Sequence, residues 1–179
     1  MTSVYDVVAY IRQRMPDAGP LPALKLAYWA QAWHATWEGR PLYPEHTEAW
    51  DHGPVSPEAW RAITRGFEPI AKPLDRHARD IVDAVLAFYG SLSAWDLRNL
   101  SHTEAPWIDA YGDSQPGERC DEVITVDAMR RYYTEQVATE AKTPDRPVSD
   151  EPVSVAEVLR VGRAQNEHWR ETLDWLADR

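Results

Sequence analysis

The stretch "PALKLAYWAQAWHATW", residues 22–37, decides the fold. Pro22 suits the first turn of a helix, where its missing N–H costs nothing. Leu26, Ala30, Trp33 and Trp37 then fall along one helical stripe. The apolar residues do not stop at that stripe, and a helix that is apolar on more than one face must be covered on more than one face. The spacing therefore predicts a central helix with the rest of the chain packed around it.

On the N-terminal side, "TSVYDVVAYIRQRM" places Val4, Val7, Val8, Ile11 and Met15 near helical spacing, with Ser3 and Asp6 set for a capping box. On the other side, "EGRPLYPEHTEAWDHGPVSPEAW" holds too much Gly and Pro for one regular element. Short extended pieces at Leu42–Tyr43 and Glu48–Trp50 could pair as a β-hairpin within residues 42–50. Ser56, Pro57 and Glu58 start a helix through about Thr64. Gly66 to Pro73 reads as irregular. "DRHARDIVDAVLAFYG" predicts a helix that Gly90 is suited to end. Ser93 and Asp96 cap the next helix, "AWDLRNL", and Pro106 opens a short turn, "PWIDAYG", that closes at Gly112. Thr125 is the N-cap of "VDAMRRYYTEQVATEA".

The fold class expected is mainly α: a compact multi-helix domain over residues 1–142, a Pro-rich and charged linker over 143–153, and a C-terminal amphipathic helix over 154–179. That helix has its own capping box at Ser154 and Glu157. Its stripe includes Trp169, Leu173 and Leu176, although Gly162 interrupts it.

Composition narrows the function. Nineteen basic against 29 acidic residues give a formal charge of −10, a field that repels phosphate backbones and favours a basic partner. Nucleic-acid binding and an autorepressor role are disfavoured, and no basic recognition helix is visible. No run approaches the ~18 apolar residues that a membrane helix needs, and no secretory signal is recognisable. The lone Cys120 rules out a disulfide framework within the chain and fits a reducing cytoplasm. Nine Trp and eight Tyr stand against two Phe, so much of the core must consist of aromatics carrying a polar handle.

"LSHTEAPW", residues 100–107, raises the question of chemistry. His102 and Glu104 have the H-x-E spacing of zinc deaminases, but the downstream P-C-x-x-C that completes such a site is missing. His46, Glu48 and His52 could join His102 around a hard metal, yet histidines scattered over loops are more often hydrogen-bonding residues than ligands. There is no H-E-x-x-H, glycine-rich phosphate loop or nucleophile elbow. The structural reading is simpler. The helix must end before Pro106, Ser101 or Thr103 bonds the freed backbone, and Trp107 folds back into the core. In "AWDHGPVSPEAW", Gly53 permits positive φ, Pro54 fixes the next residue, and Trp50 and Trp60 flank the corner.

These two blocks carry a resemblance. "KLAYWAQAWHATWEGRPLYPEHTEAWDHGPVSPEAWRAI", residues 25–63, and "YGSLSAWDLRNLSHTEAPW", residues 89–107, resemble in order and spacing the Panacea antitoxin domain, also described as SocA-like or phage-associated GepA-like. The resemblance spans about Val4 to Tyr133 and departs at Ala27 and Trp29, where the family usually carries larger aliphatic residues. The motif positions it marks are Lys25, Trp50, Gly53, Pro54, Val55, His102, Glu104, Pro106 and Trp107, as scaffold or as partner contacts. It implies a non-catalytic antitoxin with no cofactor, which neutralises a cognate protein toxin by direct binding. The implied alternative is an adaptor that delivers the toxin to a protease. From the residues themselves, the competing reading is a metal-dependent hydrolase using His52, His102 and Glu104. Trp169, Leu173 and Leu176 are candidate partner anchors on the terminal helix.

Overall fold

The computed structural model describes residues 2–65, 71–139, 141–148, 159–160 and 163. The chain divides into a compact unit, Met1–Pro147, and a second unit, Val148–Arg179. Within the second, Leu159 and Arg160 are helical and Leu159 is exposed. The expected anchors Trp169, Leu173 and Leu176 lie outside the described residues, as does most of the irregular stretch expected at Gly66–Pro73.

The central helix, α2, spans Pro20–Glu38. It begins two residues before the expected Pro22, because Pro20 already occupies the first turn behind an extended Gly19. Every residue from Ala23 to Ala35 is buried, which is what an all-round apolar helix requires. Gly39, at φ 70, ends it and returns its N–H to the Ala35 carbonyl.

Helix α1, Val4–Arg14, has the Ser3–Asp6 capping box and buries Val4, Val7, Val8 and Ile11. Helices α3, Pro57–Arg65, and α4, Arg76–Tyr89, follow. Asp75 caps α4 by accepting from the Ala78 N–H. Gly90 closes α4 in the right-handed region, at φ −66, rather than in the left-handed conformation usual for a terminal glycine. Ser93 and Asp96 form the second capping box, at the start of α5, Ala94–Ser101. Helix α6, Ala105–Tyr111, carries Pro in its first turn, and α7, Val126–Ala138, is capped by Thr125.

Aromatic rings join these helices. Trp29 of α2 stacks on Tyr89 of α4 at 4.4 Å, with the planes 6° apart. Trp33 meets Tyr133 of α7 at 4.9 Å and donates its indole N–H to the Tyr89 hydroxyl.

The hairpin pairs differently from the expectation. Strand β1, Thr47–Trp50, runs antiparallel to β2, Gly53–Val55, across the Asp51–His52 turn. It also pairs with β3, Val123–Ile124, in the order β2-β1-β3. Leu42 and Tyr43 join no strand, because Gln31 of α2 takes the place of one. Its side-chain oxygen accepts the N–H groups of Leu42 and Tyr43, and its amide nitrogen donates to the Tyr43 carbonyl. A segment whose backbone is satisfied by a buried glutamine has no need of a ladder. Strand β3 is only two residues long and offers no alternating pattern to recognise in the sequence.

Candidate functional site

Both motif blocks converge on α2. Lys25 is fully buried, and its Nζ donates to the Pro54 carbonyl at 2.8 Å. That contact needs the backbone of β2 to lie directly against the lysine, and Gly53 makes the approach feasible. At φ +90 it occupies the left-handed region, and a Cβ there would stand 2.5 Å from Ser101 Oγ and 3.0 Å from Lys25 Nζ. No side chain larger than hydrogen fits without displacing one of them. Ser101 in turn donates to the Arg98 carbonyl at 2.8 Å, and Thr103 to the Leu100 carbonyl at 2.8 Å, so the two hydroxyls close the end of α5.

The turn after α5 then sends Glu104 one way and the stacked pair His102 and Trp107 another. Glu104 points into the core. Its Oε1 accepts from Trp29 Nε1 at 3.0 Å and its Oε2 from the Tyr133 hydroxyl at 2.7 Å. The Tyr28 hydroxyl stands 3.4 Å from that of Tyr133. Burial pushes the Glu104 carboxyl up to about 7, against the opposing pull of these donors. Trp107 folds back and donates its indole N–H to the Trp50 carbonyl at 2.9 Å. Its ring is sandwiched between His102, at 3.9 Å and 9°, and Tyr111, at 4.5 Å and 18°. Tyr111 reaches Asp51 Oδ1 at 3.2 Å and so ties α6 to the hairpin turn. Trp50 and Trp60 meet edge to face at 5.8 Å.

His102 has the least comfortable position of the motif residues. Its Nε2 is buried and has no hydrogen-bond partner among the described residues. Burial, reinforced by the positive charges of Arg98 and Lys25, brings the imidazole down to about 4. Lys25 also lies well below the ordinary lysine range, first because it is buried and then because Arg98 is near. The motif residues thus include a buried base and a buried acid, both pushed toward their neutral forms.

This arrangement does not bring His52, His102 and Glu104 together as ligands. His52 is 72% exposed and faces Asp51 at 3.7 Å. His102 is stacked flat on Trp107, and Glu104 is held by Trp29 and Tyr133. His46 instead pairs with Glu48 at 2.9 Å and lies 3.7 Å from Glu58. Among the described residues no group of three His, Cys, Asp or Glu side chains is placed to hold a metal ion. Of the other motif residues, Pro54, Val55 and Pro106 are buried.

Reading the sequence left unassigned the partners that hold these residues: Tyr28, Trp29, Tyr133, Asp51 and Tyr111. The available signal was the excess of Trp and Tyr over Phe, which is reflected here in indole and phenol groups bonded to buried acceptors.

Lysine, glycine and glutamate of two separated blocks, joined through one central helix, define a helical domain organised around an internal polar joint. Residues 24–108 match the family model described as Antitoxin SocA-like, Panacea domain. The match runs from α2 into α6 and contains both motif blocks; α1 and α7, which complete the core, lie outside it. No curated protein and no solved structure matches the chain. The family's description supports an antitoxin role and, with it, a protein partner.

Proposed function

We propose that this chain is the antitoxin of a toxin–antitoxin pair and neutralises its cognate toxin by direct protein–protein binding, without catalysis. The observation that carries the reading is the family match over residues 24–108, which spans both motif blocks. The geometry is in keeping with it. The acid and base that a hydrolase would draw on, Glu104 and His102, are respectively bonded into the core and stacked against Trp107. Their disposition suits a scaffold that presents a surface.

The site of action is the cytoplasm. Cys120 is a free, buried thiol, which suits a reducing compartment, and no helix among the described residues is long and apolar enough to cross a membrane. The net charge of −10 favours a basic toxin overall. Trp169, Leu173 and Leu176 of the terminal segment are candidate anchors for it.

Coexpression tests the reading. The product of the neighbouring gene is induced with and without this chain, and growth and toxin level are followed. Growth arrest that this chain relieves while the toxin level stays constant is the expected result, and it means neutralisation by masking. A neighbour that is harmless alone removes the basis of the proposal. Relief that depends on loss of the toxin through a protease replaces masking with delivery.

A further inference from the structure

The small sheet ends differently on its two sides. Trp50 and Gly53 face each other across a two-residue turn, so they are a hydrogen-bonded pair, and the next pair, Ala49 and Pro54, is not hydrogen-bonded. The backbone groups of Pro54 therefore point away from β1, to the outer edge of β2. That edge is closed. Proline has no N–H to offer, and its carbonyl is taken by Lys25.

The opposite edge is open. The Ala49 N–H donates to the Glu122 carbonyl at 2.9 Å. This makes Ala49 and Glu122 a hydrogen-bonded pair, so Glu48 and Val123, one step along, are a non-bonded one. Val123 thus turns its N–H and its carbonyl away from β1, on the side where the sheet has no further strand among the described residues. Neither group meets a hydrogen-bond partner among those residues. Val123 is 47% exposed, and Asp121, Glu122 and Thr125 around it are exposed as well.

Charge selects the occupant. Along residues 118–127, Glu118, Asp121, Glu122 and Asp127 stand against Arg119 alone, and Glu48 lies across the ladder from Val123. Arg119 pairs with Asp121, and Arg130 of α7 with Asp127. Glu118 and Glu122 have no cation beside them among the described residues. With both arginines counted, carboxylates remain in excess along the edge.

We infer that β3 takes up a basic extended segment of the toxin as a further strand, its backbone bonded to Val123 and a cationic side chain set opposite Glu122. The inference rests on the antitoxin reading and names the surface that performs it. Strand addition of this kind draws affinity from main-chain bonds and selectivity from alternate side chains. The residue opposite Val123 shares the face of that exposed side chain, and its neighbour shares the face of Glu122. An alternation of apolar and cationic residues therefore fits. A second copy of this chain does not, since pairing would bring two such acidic edges together.

Two measurements on the full chain test this. In the first, the 15N-labelled protein is titrated with the blocked peptide Lys-Val-Lys-Val-Lys, with the same peptide N-methylated at both valines, and with Glu-Val-Glu-Val-Glu. In the free chain the Val123 amide exchanges with solvent faster than that of Ile124, which belongs to the ladder. The basic peptide shifts and protects the Val123 amide, and the N-methylated and acidic peptides do not. A Val123 amide that is already as slow as Ile124, that ignores the basic peptide, or that responds equally to either control overturns the inference.

In the second, Val123→Pro and Glu122→Lys are compared with wild type for binding and neutralising the neighbouring gene's toxin. The Val123 N–H takes no part in the ladder, so proline is tolerated there and melting temperatures stay near wild type. Toxin binding weakens by at least about tenfold. Folded variants that bind as wild type overturn the inference. So does a wild-type dimer that Val123→Pro converts to monomer, since a second copy then covers the edge. Glu122→Lys leaves the backbone intact and decides the matter should Val123→Pro not fold. Should wild type itself fail to hold the toxin, it is the antitoxin reading that has failed, and the peptide titration still decides what the edge accepts.

Discussion

Trp29 and Glu104 are hydrogen-bonded at 3.0 Å across 75 positions of sequence, and the bond fastens the second motif block to the helix that opens the first. It is made in a fully packed setting, where an ionised carboxylate is costly and a neutral one is not. The pairing therefore makes stability depend on pH.

The Glu104 carboxyl titrates at about 7 in the folded chain, against an ordinary 4.5. Between those values the folded state keeps a proton that the unfolded state has released, so this group's contribution to stability falls as pH rises through the window and levels off above it. Glu104→Gln removes the dependence. Its melting temperature relative to wild type should rise from pH 5 to pH 8, read by calorimetry. A difference that stays constant over that range contradicts the burial of a titrating Glu104.

His102 works in the opposite direction. Its imidazole titrates at about 4 rather than 6.5, so as pH falls between those values the unfolded state takes up a proton that the folded state refuses, and stability falls. The two groups oppose each other over the shared part of their ranges, which flattens the profile of the wild type. His102→Phe keeps a ring against Trp107 and removes the unpartnered Nε2. Its stability relative to wild type should grow as pH drops from 7 to 5. Parallel profiles would mean that His102 is solvated.

Gly53→Ala tests the tightness of the joint. A methyl at φ +90 is strained, and here it also meets Ser101 Oγ and Lys25 Nζ. Strain and overpacking together should destabilise the chain by about 2 to 4 kcal/mol. Adding Ser101→Gly removes the nearest obstacle and should recover part of the loss in chemical denaturation. Equal stabilities for Gly53→Ala and wild type would show that β2 can withdraw from α2.

Truncation after Pro147 should leave a domain that melts close to the full chain, because the compact unit extends to that residue. Cutting after Lys142 instead removes the buried Pro144 and the Arg146–Glu38 pair at 3.2 Å, and should lower the melting temperature further. If truncation after Pro147 aggregates, residues beyond it belong to the core of the domain.

The helices were legible because each carries its own local signals. Ser3, Ser93 and Thr125 cap where those signals point, and the structure adds Asp75 at the start of α4. The hairpin was misread at one strand because its competitor, Gln31, sits 11 residues from Leu42 and satisfies that backbone through tertiary structure alone. The motif residues were visible as a set, and "LSHTEAPW" was readable as a locked turn. Its partners were not, since Trp29 and Tyr133 meet Glu104 only once α2 and α7 have packed. The exposed Trp95 looks in sequence like any other aromatic on a short helix. Nothing local distinguishes a ring that faces water from the many that do not.

Trp107 gives the most direct test that the motif supports the fold rather than contacting the partner. It is buried between two rings and bonded to Trp50, so Trp107→Ala should cost about 3 to 5 kcal/mol, as for other buried aromatics. The deciding measurement is toxin neutralisation per folded molecule, with the folded fraction of each sample taken from circular dichroism under the assay conditions. Neutralisation that declines only in step with the folded fraction is the predicted result. A Trp107→Ala protein as stable as wild type that no longer neutralises would contradict it and make the motif itself the contact surface.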